Sequence, residues 1–210
     1  EGVESENLIA ALGLAVLRLR PSALPSLDET TRDAVGRAGQ AEYLAVQKKF
    51  AEARKEYDQL AADFPKLGNI QYAYGRFLLT AKEDELAVSA FRREIANSPG
   101  HLLARLMIAD TRLRLRDAPG GLPYAEEAVK LDPKLPLAHY LLGSLLIETG
   151  ETARAIAELE TAQRLLPEEP KIYFALGRAY ARAHRNADAE RARATFERLN
   201  KKEEANEKRK

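Results

Sequence analysis

Four prolines, Pro65, Pro99, Pro133 and Pro167, recur every 34 residues with no slippage in the spacing. A fixed period of this length marks stacked supersecondary units, and 34 residues is the length of a helix–turn–helix repeat. Each unit in such a stack buries its apolar face against its neighbours, so the chain is expected to form an array rather than a core built once. The prolines belong just past the last turn of a helix. There the missing N–H and the ring clash stop the hydrogen-bond ladder.

Residues between the prolines keep the same phase. Ahead of each lies an amphipathic segment with a small residue early and an apolar one near its middle: Ala53 with Tyr57, Ala87 with Phe91, Ala155 with Leu159, and a weaker unit around Ala125 and Ala128. The preceding helix of each unit carries a second small residue, Ala41, Gly75, Ala109, Gly143 or Gly177, again 34 apart. Small side chains at matched places let two helix axes approach closely. Alternating β-branched runs are missing, so nothing reads as a strand and the expected class is all-α.

This pattern resembles the tetratricopeptide repeat (TPR) family. Its most complete unit here is Pro136–Pro167, where Leu142, Gly143, Leu146, Ala155, Leu159, Ala162 and Pro167 match the family pattern. The resemblance implies a right-handed superhelical solenoid of antiparallel helix pairs. Five units can be laid down at 34–67, 68–101, 102–135, 136–169 and 170–203, after an N-terminal helix and proline-containing linker over 1–33 and before a charged, solvated tail over 204–210. The chain departs from the family where a first-helix Trp is usual, with Arg37, Gln71, Arg105, His139 and Tyr173. Glu94 replaces a small residue, and Arg193 an apolar one.

Local signals place the elements. Ser5 can cap a first helix running to about Arg20, and Pro21–Leu27 reads as a linker. Asp117-Ala118-Pro119-Gly120-Gly121 reads as a breaker-rich turn that shortens the second helix of the third unit, which then starts near Pro123. Thr152 is the expected N-cap of the second helix in the fourth unit. The segment Lys201–Lys210 alternates charges with almost no apolar content and is expected to be solvated and to fray.

Composition narrows function. The net charge is +1, from 33 basic and 32 acidic residues, which favours neither nucleic acid nor an anionic membrane as a partner. No cysteine is present, which rules out disulfides, thiolate metal sites and a cysteine nucleophile. The apolar run Leu8–Leu17 is too short to span a bilayer, so it reads as a buried helix rather than an integral membrane segment. The lack of cysteine and of an initiator methionine leans towards an exported, periplasmic-type mature form. His101, His139 and His184 occupy different repeat positions and lack metal-ligand spacing. Gly120-Gly121 lacks the Lys-Ser/Thr of a phosphate loop. No catalytic constellation, metal or cofactor is therefore expected, and an enzyme is disfavoured.

A binding surface is expected instead. Positions 2, 5, 9 and 12 of each first helix share one face, and by the TPR resemblance that face lines a concave groove for an extended peptide or a partner helix. It offers Val35, Ala38 and Glu42 in the first unit, then Asn69, Tyr72, Arg76 and Leu79. The third unit adds Leu103, Leu106, Asp110 and Leu113, and the fourth Leu137, Tyr140, Ser144 and Ile147. The fifth adds Lys171, Phe174, Arg178 and Ala181, with Arg182 adjoining. Tyr72, Tyr140 and Phe174 share one repeat position, either as groove anchors or as ordinary packing between first helices. Arg76, Asp110, Ser144 and Arg178 vary in chemistry, as either partner recognition or a solvated face would. The clamp that holds chaperone carboxylate tails in TPR relatives has no counterpart at Ala38, Glu42, Ala73, Leu103 and Met107.

The function expected is a non-catalytic protein–protein interaction scaffold, one part of a larger bacterial-type assembly or of a longer polypeptide. The alternative is a self-assembling structural unit. In the groove, Tyr140, Lys171, Phe174, Arg178 and Arg182 point to a partner segment carrying carboxylates beside apolar residues.

Overall fold

The computed structural model describes residues 2–207, and every regular element among them is a helix. Helix α1 (Gly2–Val16) and a 3-10 segment (Pro21–Ser26) precede five successive helix pairs. These are α2 (Glu29–Val46) with α3 (Phe50–Asp63), α4 (Ile70–Thr80) with α5 (Asp84–Asn97), and α6 (Leu102–Arg114) with α7 (Ala118–Leu131). Then come α8 (Pro136–Thr149) with α9 (Thr152–Leu165), and α10 (Pro170–Arg182) with α11 (Asn186–Glu207). They form two compact units, one ending at Ala104 and the other starting at Arg105. The first packs around Leu17, Tyr57, Leu60, Leu78 and Phe91, and the second around Ile108, Leu141, Leu145, Leu146 and Leu159.

The periodic prolines stand two residues beyond the ends of α3, α5, α7 and α9, after C-cap residues whose backbone has left the helical region. A second 34-residue period ends the other helix of each pair. Lys48, Lys82, Arg116, Gly150 and His184 all have positive φ, between 58° and 87°. Around each, two backbone bonds close the helix end; at Lys48 they are Lys48 N–H to the Ala45 carbonyl and Lys49 N–H to the Leu44 carbonyl, both 2.9 Å. This is the paired 6→1 and 5→2 bonding of a Schellman end. Only Gly150 adopts the left-handed conformation without a Cβ penalty.

Several local expectations are corrected. Ser5 lies inside α1, which already begins at Gly2 and ends at Val16 rather than near Arg20; Arg18 at φ 58° turns the chain away. Pro21–Ser26 is a 3-10 helix, with Pro21 at its first position where the missing N–H costs nothing. Asp117–Gly121 is no turn. Asp117 caps α7 by accepting the Gly120 N–H at 3.0 Å, and the helix runs through both glycines. Gly121 occupies the repeat position of Ala53, Ala87 and Ala155, and a methyl group on it would lie 2.9 Å from the Arg112 Cβ. Thr152 is inside α9, and the N-cap is Glu151. Residues 201–207 continue α11 as an exposed helix, with Lys202 on Glu168 at 3.0 Å. Residues 208–210 lie outside the described residues.

The departures from the family pattern have structural uses. Arg37, Gln71, Arg105 and His139 each bridge to the second helix of their pair, through Asp63 (2.7 Å), Arg93 (3.1 Å), Glu127 (2.6 Å) and Glu158 (2.6 Å). Tyr173 donates instead to the Pro167 carbonyl at 2.7 Å. Glu94 is fully buried. It accepts the N–H groups of Asn69 (2.9 Å) and Tyr72 (3.2 Å) at the start of α4, where a carboxylate also meets the positive end of the helix dipole.

Matched small residues are not equivalent. A methyl group at Gly75 would lie 2.5 Å from the Phe91 ring, and one at Gly143 would lie 2.6 Å from Leu159 Cγ, so at both crossings the neighbouring side chain would have to shift. At Gly177 the nearest atom would be Arg193 Cγ at 3.5 Å, an ordinary contact. The arginine that breaks the apolar pattern therefore leaves room. Gly143→Ala is expected to cost about 1–3 kcal/mol by overpacking, and Gly177→Ala to gain up to about 1 kcal/mol from helix propensity. Urea midpoints should move in opposite directions.

Candidate functional site

The expected groove face is not uniformly a surface. In the first unit, α1 crosses α2 so closely that a methyl group at Gly13 would lie 1.8 Å from the Val35 carbonyl oxygen. Val35 and Ala38 are buried, and Glu42 accepts the hydroxyl of core Tyr57 at 3.0 Å. Tyr72 is only 5% exposed. Its ring packs on His101 (4.9 Å) and Phe91 (5.8 Å), so it belongs to the core rather than to a groove ladder. The Asn69 side chain accepts from His101 Nε2 at 3.0 Å, inside the Glu94 network. Arg76 remains exposed on this face.

The second unit does present a surface. Leu137, Tyr140, Asp110 and Lys171 line a depression of about 380 Å³ with Pro136, Leu166, Glu169 and Ile172. Tyr140 is shared with an adjoining depression of about 330 Å³, lined by Leu113, Arg114, Arg116, Ser144, Glu148, Phe174, Ala175 and Arg178. The strip thus runs from a mainly apolar end to a basic one. Phe174 is 54% exposed and touches Phe196 at 5.5 Å; Leu137 is 45% exposed. Leu106 and Ile147, expected on the same face, are instead buried, and so is Ser144. Burial holds the Tyr140 phenol above its ordinary value, with the Ser144 hydroxyl opposing.

Charge partners at the basic end differ from those near the C terminus. Arg178 pairs with Glu148 across α8 and α10, not with Asp188 or Glu190. Asp188 pairs with Arg185 and Arg191 instead. The hydrogen bond from Arg178 holds the Glu148 carboxyl below its usual range, and the charges of Arg182 and Arg116 act in the same direction. Arg182 donates to the Ile147 carbonyl near the end of α8. Asp110 faces Arg114 at 3.5 Å.

Sequence reasoning missed Arg114, Arg116 and Glu148. The signal was available for two of them, since Arg114, Glu148 and Arg182 lie one turn beyond Asp110, Ser144 and Arg178 on the same helix face. Among the described residues, no cluster of His, Asp or Glu could hold a metal ion, and no helix is long and apolar enough to cross a membrane.

The helix pairs, the 34-residue phase and the two closing motifs meet an independent finding. A tetratricopeptide repeat family profile matches residues 38–101, 106–170 and 140–199. The chain belongs to the tetratricopeptide repeat family. Among solved TPR structures, MamA from Desulfovibrio magneticus RS-1 is 22% identical, with a TM-score of 0.70 covering 82% of this chain and 96% of that one. YrrB, described as a TPR protein with an unusual peptide-binding site, is 17% identical, with a TM-score of 0.70 over 83% and 90% of the two chains. Anaphase-promoting complex subunit 3 of Schizosaccharomyces pombe is 26% identical over 135 residues, 61% of this chain. The match spans only 20% of that relative's length. The TPR fold is that of a protein-interaction scaffold.

Proposed function

We propose that this TPR chain is a non-catalytic scaffold that holds an extended peptide or a partner helix along the strip formed by α6, α8 and α10. The observation that carries this reading is a continuous surface in the second unit, in which apolar Leu137, shared Tyr140 and exposed Phe174 lead into a group of arginines. Exposed aromatics beside arginines are the side chains that dominate interface energetics. Apolar contact fixes the segment, and guanidinium groups orient its carboxylates by paired hydrogen bonds. The peptide-binding site named for YrrB supports the same use of a similar fold.

Phe174→Ala tests this reading. Peptides selected on the wild-type chain from a random 12-residue display library should bind it at least about tenfold more weakly, as loss of a groove anchor predicts. Its melting temperature should stay within about 2 °C, because an exposed ring contributes little to folding. Undiminished binding after Phe174→Ala would refute the placement. Light scattering at several concentrations gives the other outcome: mass that rises with concentration in the wild type and not in Phe174→Ala would make a second copy the occupant.

A further inference from the structure

We infer that Glu148 is a resident competitor at the basic end of this strip, holding the place that a carboxylate of an acidic peptide takes when the peptide binds. This rests on the groove reading above and adds the residue that sets its selectivity. Glu148 stands at the end of α8, between cations supplied by α6 and α10. Arg178 bonds it directly, and Arg116 and Arg182 add their fields. The charged side chains that line this depression are Arg114, Arg116 and Arg178 with Glu148, so its wall carries more cations than carboxylates.

The geometry makes exchange feasible. Both partners of the Arg178–Glu148 pair are solvent-accessible, at 44% and 31% of their side-chain surfaces. Exposed ion pairs of this kind are weak, because water screens them and ordering two long side chains costs entropy. An incoming carboxylate can replace Glu148 on Arg178 without opening the core. Glu148 then turns to solvent.

The occupant this fits is a peptide segment with Asp or Glu next to an apolar residue. Phe174 and Leu113 wall the same depression and supply the apolar half of the site. Glu148 and Asp110 would repel the successive phosphates of a nucleic acid, whose binding draws on several cations in a row. Glu148 thereby raises the threshold for binding. It rejects single weak anions and admits a ligand that adds apolar contact to its charge.

The test uses the full chain and display-selected peptides remade synthetically in two forms, one with their Asp and Glu and one with Asn and Gln in their place. Glu148→Gln should tighten the acidic form about five- to tenfold at low salt and leave the amide form unchanged. Arg178→Gln should weaken the acidic form selectively. Equal or weaker binding of the acidic form by Glu148→Gln, or a gain shared by both forms, overturns the competitor role. Tighter binding of a 20-nucleotide single strand than of any acidic peptide overturns the assigned partner class. If Phe174→Ala removes binding of both forms while Glu148→Gln changes neither, the groove reading stands and this inference falls. If no peptide is enriched, or Phe174→Ala changes nothing, the groove reading itself fails. Retention of the wild-type melting temperature by Glu148→Gln shows that a change in affinity does not come from unfolding.

Discussion

Gly39→Ala is expected to release α1 from the first unit. A methyl group at Gly39 would lie 1.9 Å from the Ile9 carbonyl oxygen and 2.9 Å from the Gly13 nitrogen, and these are backbone atoms that no rotamer change can move. The helices must separate, which exposes Leu14, Val16 and Leu17 on one side and Val35 and Ala38 on the other. Overpacking a core costs about 1–3 kcal/mol, and the upper part of that range applies where the obstacle is main chain. Native-state hydrogen exchange should show the amides of α1 opening on the order of a hundredfold more often, as about 3 kcal/mol requires. Gly36 gives the control. It lies three residues earlier in α2, and a methyl group there would meet nothing within 4 Å. Gly36→Ala should instead stabilise by up to about 1 kcal/mol from helix propensity. If both variants behave alike, the close crossing of α1 and α2 is wrong.

Glu94→Ala should be the most damaging change in the second helix pair. Its carboxylate is buried and satisfies the Asn69 and Tyr72 N–H groups at the start of α4. Asn69 also holds His101, whose Nδ1 accepts the Ala104 N–H at 3.0 Å, so the same network stitches α4 to the start of α6. Truncation takes this acceptor from the buried Tyr72 N–H and the half-buried Asn69 N–H and leaves a cavity beside them. Each orphaned donor costs about 1–3 kcal/mol, so a loss of roughly 3–5 kcal/mol in urea denaturation is expected. Glu94→Gln keeps one acceptor oxygen and should fall between the two. A loss under about 1 kcal/mol for Glu94→Ala would mean that water replaces the carboxylate.

The candidate site was only partly legible in the sequence. Helical periodicity put Asp110, Tyr140, Ser144, Lys171, Phe174 and Arg178 on one face, and the structure brings them to two adjoining depressions with Tyr140 in common. The same rule put Asn69 and Tyr72 there, although both serve the Glu94–His101 region of the core. Repeat position names a face of a helix. It does not say what a neighbouring element lays over that face. The third unit shows the converse error: Gly120 and Gly121 look like turn breakers, yet Asp117 caps the helix they belong to and Gly121 fills a close crossing.

The repeat length, the all-α class, the ends of α3, α5, α7 and α9, and the family were all legible in the residues alone. Each follows from local chemistry repeated in phase: a proline just past a last turn stops the helix there, and a small residue recurs where two axes approach. The rest depends on packing between elements. Lys48, Lys82, Arg116 and His184 carry the Cβ that Gly150 lacks, yet all five backbones repeat one left-handed turn because two hydrogen bonds close each helix end. A methyl group would press into Phe91 at Gly75 and into Leu159 at Gly143, whereas at Gly177 it would meet Arg193 at an ordinary distance. Tyr72 and Phe174 occupy one repeat position and meet opposite fates, 5% and 54% exposed. His101 and Phe91 cover the first, whereas Phe196 touches the second and leaves half of its surface to water. Burial depends on the atoms that arrive from elsewhere in the chain, and no periodicity within one helix encodes them.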